Sequence, residues 1–357
     1  MPQDHNDESG TPFFSLVDQD GSDNEPFDLQ EEAFAELEEA QYASFDEALE
    51  AIRGESLEIT SLTGFSDISR NEARRLAGIW RELPVESRVT IADHVHTLGQ
   101  EDLFLDFMRF FRLLLDDDSA TVRQIAATGL APYDDESLIE PLTKHATVDV
   151  DDDVRVAAME SLGTFMTLGE FGMLEPKTMK NLRQVLLRSV EDAKAPVRLR
   201  AAALAGIAVN SDDNRIQEVI EAFYTSGDPD LRMGAIQAMG RSANPLWIPM
   251  LETTLRSADP DERQASAKSL GTYDDPAVVP MLTMLAREDQ EMPVRLEAIQ
   301  ALGTVGGRNA LHSLQTLREH VSDDEIEAVD AAIAEAEDLI ALEEAEPEDE
   351  FGFDEDV

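Results

Sequence analysis

The chain contains no cysteine. That excludes disulfides, thiolate metal sites and thiol nucleophiles, and it agrees with a reducing compartment. Basic residues are scarce: 28 Lys and Arg stand against 76 Asp and Glu, for a formal charge of −48. Such a field repels phosphate backbones and anionic lipid, which are held chiefly by Lys and Arg. Nucleic acid and membrane are therefore not expected partners. Long apolar runs are missing too. The greasiest stretch, FLDFMRFFRLLL, is broken by Asp106, Arg109 and Arg112, and the opening MPQDHNDESG lacks the basic and apolar parts of a signal peptide. The expected location is the cytoplasm. Aromatics make up 6% of the chain, and Trp80 and Trp247 stand alone, so no base-stacking platform is indicated.

Catalytic and metal-binding patterns are equally sparse. The histidines are His5, His94, His96, His145, His312 and His320; none belongs to His-Glu-x-x-His, and no His-Glu dipeptide occurs. No glycine-rich phosphate loop or Gly-x-Ser-x-Gly elbow is present, and GTVGG at 303–307 reads as a turn between helices. DQDGSDNE resembles a calcium loop only in its acids, because Asp23 stands where that loop needs glycine and Leu29 where it needs glutamate. Asp149 and Asp151 to Asp153 are accounted for by helix capping and arginine pairing. The expectation is no catalytic residue, no cofactor and no metal.

What the sequence has is a repeat. DSATVRQIAATGLA, DDDVRVAAMESLG, DAKAPVRLRAAALAG, DPDLRMGAIQAMG, DPDERQASAKSLG and DQEMPVRLEAIQALG align on Arg123, Arg155, Arg198, Arg232, Arg263 and Arg295. Each arginine follows an acid: Asp118, Asp153, Asp192, Asp230, Asp261 or Glu291. Eight residues later comes Gly163, Gly206, Gly240, Gly271 or Gly303, with Ala131 in the first copy; the spacing predicts glycines that stop each helix in the left-handed region. Between copies lie second apolar helices such as SLIEPLTKHA and PAVVPMLTMLAR. A cation in a first helical turn opposes the helix dipole. Its expected reason is a structural ladder in which the turn acids of the same or the next unit accept from the arginine. Two-helix units cannot bury their apolar faces alone, so they must stack.

Asp-Pro followed by Arg, Ala and Leu-Gly, clearest at 259–271 and 275–306, resembles the short HEAT-like repeats of bilin lyases and many bacterial scaffold proteins, over roughly residues 115–320. The resemblance implies an all-α fold, a right-handed α-solenoid of stacked two-helix repeats.

Residues 1–58 are expected to form an acidic arm, mostly disordered, with a short helix near 45–53; residues 59–115 form divergent helices capping the solenoid; 116–321 hold the repeats; 322–343 form a capping helix; 344–357 form an acidic disordered tail. The arm holds 18 acids and one base, and residues 322–357 hold 17 acids and no base, so the ends carry −34 and the middle −14. Ser44 and Glu47, Ser69 and Glu72, and Ser322 and Glu325 predict capping boxes. Ile326, Val329, Ile333, Ala336 and Ile340 predict one apolar stripe on the last helix. Phe45, Leu49 and Ile52 share a face of the arm helix and must dock on the solenoid or on a partner, and Phe351 and Phe353 are candidate recognition residues in the tail. The long spacing between Arg155 and Arg198 predicts a loop insertion near Thr167–Pro176.

These features predict a non-enzymatic scaffold, monomeric in isolation, that binds protein partners, basic ones included, with acidic arms that steer or shield. The family resemblance implies an alternative, a lyase or isomerase acting on a linear tetrapyrrole. Nucleic-acid handling, as in HEAT-like DNA glycosylases, would need a basic concave face.

Overall fold

The computed structural model describes residues 42–54, 57–209 and 213–345, and every regular element among them is helical. A short helix, α1 (Phe45–Ala51), precedes eight helical hairpins. Their first helices, the A layer, are α2 (Arg70–Trp80), α4 (Met108–Leu114), α6 (Ile139–Val148), α8 (Pro176–Glu191), α10 (Asn214–Tyr224), α12 (Ile248–Thr254), α14 (Val279–Glu288) and α16 (Gly307–Arg318). Their second helices, the B layer, are α3 (Val85–Glu101), α5 (Ala120–Gly129), α7 (Asp152–Glu170), α9 (Val197–Ile207), α11 (Pro229–Ser242), α13 (Pro260–Leu270), α15 (Met292–Val305) and α17 (Asp323–Ala345). The result is an α-solenoid.

Local chemistry sets these boundaries. Asp151, Asp228 and Asp259 cap α7, α11 and α13 by accepting from backbone N–H groups of the first turn. Short 3-10 turns capped by Asp135, Asn244 and Asp275 lead into α6, α12 and α14. Each B helix packs on the next without a break from α3 to α17, whereas neighbouring A helices touch closely only at α2–α4 and α14–α16. Closer spacing in the B layer curves the stack, with the B helices lining the concave side.

None of the repeat glycines stops a helix in the left-handed region. Gly163, Gly206, Gly240 and Gly303 lie inside B helices and Gly271 caps α13 in the right-handed region, while among the described residues the glycines with positive φ are Gly172, Gly306 and Gly307. Their role is close approach. A Cβ at Gly163 would stand 3.1 Å from the Cα of Gly206, and one at Gly240 would stand 2.7 Å from the Cβ of Ser269. Gly271 meets Ala301 and Gly303 meets Ala332 in the same way. Small hydroxyls then bridge the seams: Ser161 donates to the Ala127 carbonyl, and Ser269 to that of Ile236.

At the N-terminal end, Ser44 and Glu47 close the predicted capping box. Phe45, Leu49 and Ile52 are buried within this chain, so they are not free to dock a partner. Phe45 meets Phe65 edge-on at 6.1 Å, and Phe65 stacks on Phe110 at 5.3 Å. The Phe65 segment, Ile59–Phe65, is a 3-10 helix that the sequence pattern did not suggest. Gly64 makes this docking feasible, because a Cβ there would lie 2.2 Å from the Ser44 carbonyl oxygen.

The insertion lengthens helices more than it adds loop: α7 continues to Glu170 and α8 starts at Pro176. On α17, Val329, Ala332 and Ala336 are buried, with Ile326, Ile333 and Ile340 at the margins of the stripe. Glu325 is also buried and pairs with Arg295. Phe351 and Phe353 lie outside the described residues, as do most of the acidic arm and tail.

Candidate functional site

An arginine occupies one position in seven consecutive B helices. Arg88, Arg123, Arg155, Arg200, Arg232, Arg263 and Arg295 each donate their backbone N–H to the N-cap carbonyl, of Pro84, Ser119, Asp151, Pro196, Asp228, Asp259 and Glu291 respectively. This is the fourth helical residue, already past the first orphan amides. Six of the side chains fold back to the end of the preceding A helix. Arg155, Arg200 and Arg232 donate to the carbonyls of Ala146, Val190 and Tyr224, and Arg123, Arg263 and Arg295 to those of Asp117, Ser257 and Asp289. A cation there meets the negative end of a helix dipole, so the placement is favourable.

The register differs from the expected ladder in the third copy, where Arg200 takes the position and Arg198 forms an exposed pair with Asp153. It also extends upstream to Arg88, which lacks the surrounding motif. The accepting acids differ as well. Arg123 grips Asp149 through Nε and Nη2 at 2.9 and 2.8 Å, and Arg263 grips Asp289 at 2.7 and 2.9 Å. Arg88 reaches Asp117 and Asp118, Arg232 reaches Glu262, and Arg295 reaches Glu325.

Two chemistries serve this seam. Asp117, Asp149 and Asp289 stand two residues before the N-cap and also accept from its N–H. At α13 and α17, where Ser257 stands there or Ser322 is the N-cap, a glutamate three residues inside the helix takes over, held by that serine. Of the acids expected in the ladder, Asp192 accepts from the N–H of Lys194, and Asp230, Asp261 and Glu291 form no ion pair among the described residues. Among the described residues Arg155 and Arg200 have no carboxylate from the next repeat; Arg155 pairs with Asp152 of its own helix, and Arg200 lies over the Phe223 ring at 5.0 Å.

Asp149, Asp289 and Glu325 of the ladder titrate low. Burial would raise Asp149, but hydrogen bonds from Arg123, His145 and the Asp151 amide outweigh it and hold the group far below its ordinary 3.8. The Arg263 hydrogen bonds lower Asp289, and those of Ser322 and Arg295 lower Glu325 against its burial. A carboxyl lowered by folding contributes stability that is complete above its unfolded value and vanishes as pH falls through the folded value. Denaturant midpoints are expected to hold near neutrality and to fall steeply below about pH 4; a midpoint unchanged down to pH 2 would contradict the ladder's role.

The concave face carries a second feature. A groove of about 330 Å³ runs over α7, α9, α11 and α13, floored by Gly163, Gly206 and Gly240 and edged by Glu160, Arg241 and Lys268. Arg241 reaches across α9 to donate to the Gly163 carbonyl at 2.7 Å and the Thr167 hydroxyl at 3.2 Å. Its Nε is buried without a partner, and burial lowers its pKa with no carboxylate to offset the effect. Glu160 is exposed to solvent yet walled by the groove; that loss of surrounding water raises its carboxyl, with Arg198 acting the other way. Among the described residues no three His, Asp or Glu side chains converge as metal ligands. His145 is used structurally, with Nδ1 2.9 Å from Asp149. No described helix is long and apolar enough to cross a membrane.

A family model described as HEAT repeats matches residues 248–336. No curated protein matches the chain. Among solved structures, human deoxyhypusine hydroxylase in complex with glycerol aligns at 18% identity, covering 75% of this chain and 96% of that one, with a TM-score of 0.35. The complex of CpcE and CpcF of phycocyanin lyase from Nostoc aligns at 16% identity over 64% and 94%, with a TM-score of 0.41. Kap121p bound to Pho4p aligns at 11% identity over 79% and 36%, also at 0.41. Residues 248–336, from α12 into α17, are thus similar to HEAT repeats.

Proposed function

We propose that the protein is a non-enzymatic scaffold whose concave B-layer groove holds an extended segment of a partner protein, anchored by a carboxylate on Arg241. The observation that carries this reading is the guanidinium of Arg241, set among small residues and, among the described residues, without an acid partner, in a chain where acids outnumber bases 76 to 28. An unmet cation in a walled groove favours an anionic group at that point. The groove is lined by Arg241 and Lys268 against Glu160. A segment carrying Asp or Glu therefore suits this site better than the basic partner expected from net charge alone. The acidic arms then act at longer range by excluding other polyanions.

The test is a display library of Asp- and Glu-containing decapeptides selected on the full chain. Selected peptides are expected to lose about tenfold or more in affinity on Arg241→Glu, a difference of about 1.4 kcal/mol, and to weaken on Lys268→Glu, which leaves the strut to Gly163 intact. Peptides that bind all three proteins equally would overturn the reading.

A further inference from the structure

On the outer face, α2, α4 and the 3-10 turn Glu136–Leu138 enclose a groove of about 620 Å³ lined by Arg70, Arg74, Arg109 and Arg112. All four arginines are exposed. Arg74 donates to the Asn71 side chain, Arg112 to the Ser137 hydroxyl, and Arg109 to the Ile68 carbonyl and to Asp67. Asp135 lines the groove and accepts from the Ser137 N–H. Four cations thus meet two acids, Asp67 and Asp135, around an apolar floor of Ala73, Met108 and Leu113. Charge of this sign, gathered on one patch of a chain carrying −48, calls for an anionic occupant.

The chain supplies one. Residues 1–41, outside the described residues, hold 13 acids and no Lys or Arg. They join the fold at the groove's own end of the molecule. The Tyr42 hydroxyl donates to Asp102 at 2.6 Å, in the loop that leads into α4. At the far end of that loop, Asp106 bonds Ser66 and Asp67, and Asp67 pairs with Arg109. The segment next to this junction, EEAFAELEEA at 31–40, sets Phe34 and Leu37 among five glutamates, which matches an apolar floor rimmed by arginines. An extended chain covers about 3.4 Å per residue, so ten residues reach about 34 Å.

We propose that residues 31–40 dock intramolecularly in the Arg70–Arg74–Arg109–Arg112 groove, so that the acidic arm covers the molecule's basic patch and shields it from other polyanions. Exposed ion pairs are individually weak. Tethering provides an effective concentration near a millimolar, enough for about 90% occupancy of a contact whose free dissociation constant is ~0.1 mM.

Hydrogen exchange on the full chain tests this. At low salt, amides of residues 31–40 are expected to exchange about tenfold slower than those of residues 1–20 after correction for sequence. The protection should vanish in 1 M salt, where the screening length is about 3 Å, and in the Arg70→Glu/Arg74→Glu/Arg112→Glu variant. Circular dichroism verifies that the variant is folded, and a spin-label pair at Glu36→Cys and Gly78→Cys, in a chain with no native cysteine, gives a second readout as a narrow distance distribution that broadens in the variant. Uniformly fast exchange along the arm would overturn the proposal. So would protection that survives the groove variant but is lost on Arg241→Glu, because the arm would then lie on the concave face.

Discussion

Replacing Asp149 by alanine is expected to destabilise the protein by about 3–5 kcal/mol, the usual loss when one member of a buried ion pair is removed. Asp149 is 5% exposed at its side chain and Arg123 11%. One carboxylate receives the Nε and Nη2 groups of Arg123, lies against Nδ1 of His145 and accepts from the Asp151 amide. Truncation strands a guanidinium between α5 and α7 together with two other polar groups, and burial keeps water from replacing the lost oxygens. Asp149→Asn retains an acceptor for the Asp151 amide and should lose less. Because repeat arrays unfold in segments, amide exchange across α5 to α7 is the measurement that localises the effect. Denaturation midpoints indistinguishable from the parent, with unchanged exchange in α5 and α7, would remove the ladder from the account of stability.

Gly240→Val should cost at least about 3 kcal/mol, at the upper end of overpacking effects. The added Cβ would lie 2.7 Å from the Cβ and 2.8 Å from the Cα of Ser269, so the clash is with a neighbouring backbone and no rotamer relieves it. Helices α11 and α13 would have to separate, breaking the Ser269 bond to Ile236 and the Thr272 bond to Gly240. Gly78 is the control. It is helical on the exposed face of α2, a Cβ there would meet no atom within 4 Å, and Gly78→Ala is expected to stabilise by about 0.5–1 kcal/mol. A loss at Gly240 no larger than 0.5 kcal/mol, on the order of an ordinary surface change, would mean that the seam has slack.

The stacked hairpins were legible because period, apolar spacing and capping residues agree over six copies. The contacts between copies were legible only in part. In PVRLR both Arg198 and Arg200 fit the spacing, and only the start of α9 after Pro196 selects Arg200. Arg88 was hidden because neither Asp-Pro nor Leu-Gly surrounds it, although its place four residues after Pro84 was a usable signal. The accepting acids were misassigned because the seam admits aspartate at one position or serine with glutamate at two others, an equivalence of oxygens that residue identity hides. The glycines resembled stops because each follows an apolar run. Their partners Ser269, Ala301 and Ala332 are small in turn, and that pairing between distant helices is a signal of close approach. The outer arginine groove was not legible, since its members come from α2 and α4, some forty residues apart, as the Arg109–Ile68 bond illustrates.

The gaps in the ladder have a consequence for how the molecule comes apart. Among the described residues the seams α7–α9 and α9–α11 lack a buried guanidinium–carboxylate link, the Arg198–Asp153 pair of α7–α9 being exposed, and they cohere through small-residue packing, of which Gly163 on Gly206 and Gly234 on Ala201 are instances. That cohesion is indifferent to protons. Acid would therefore peel the outer turns first, from both extremities inward, and leave the central three hairpins as the last kernel to dissolve.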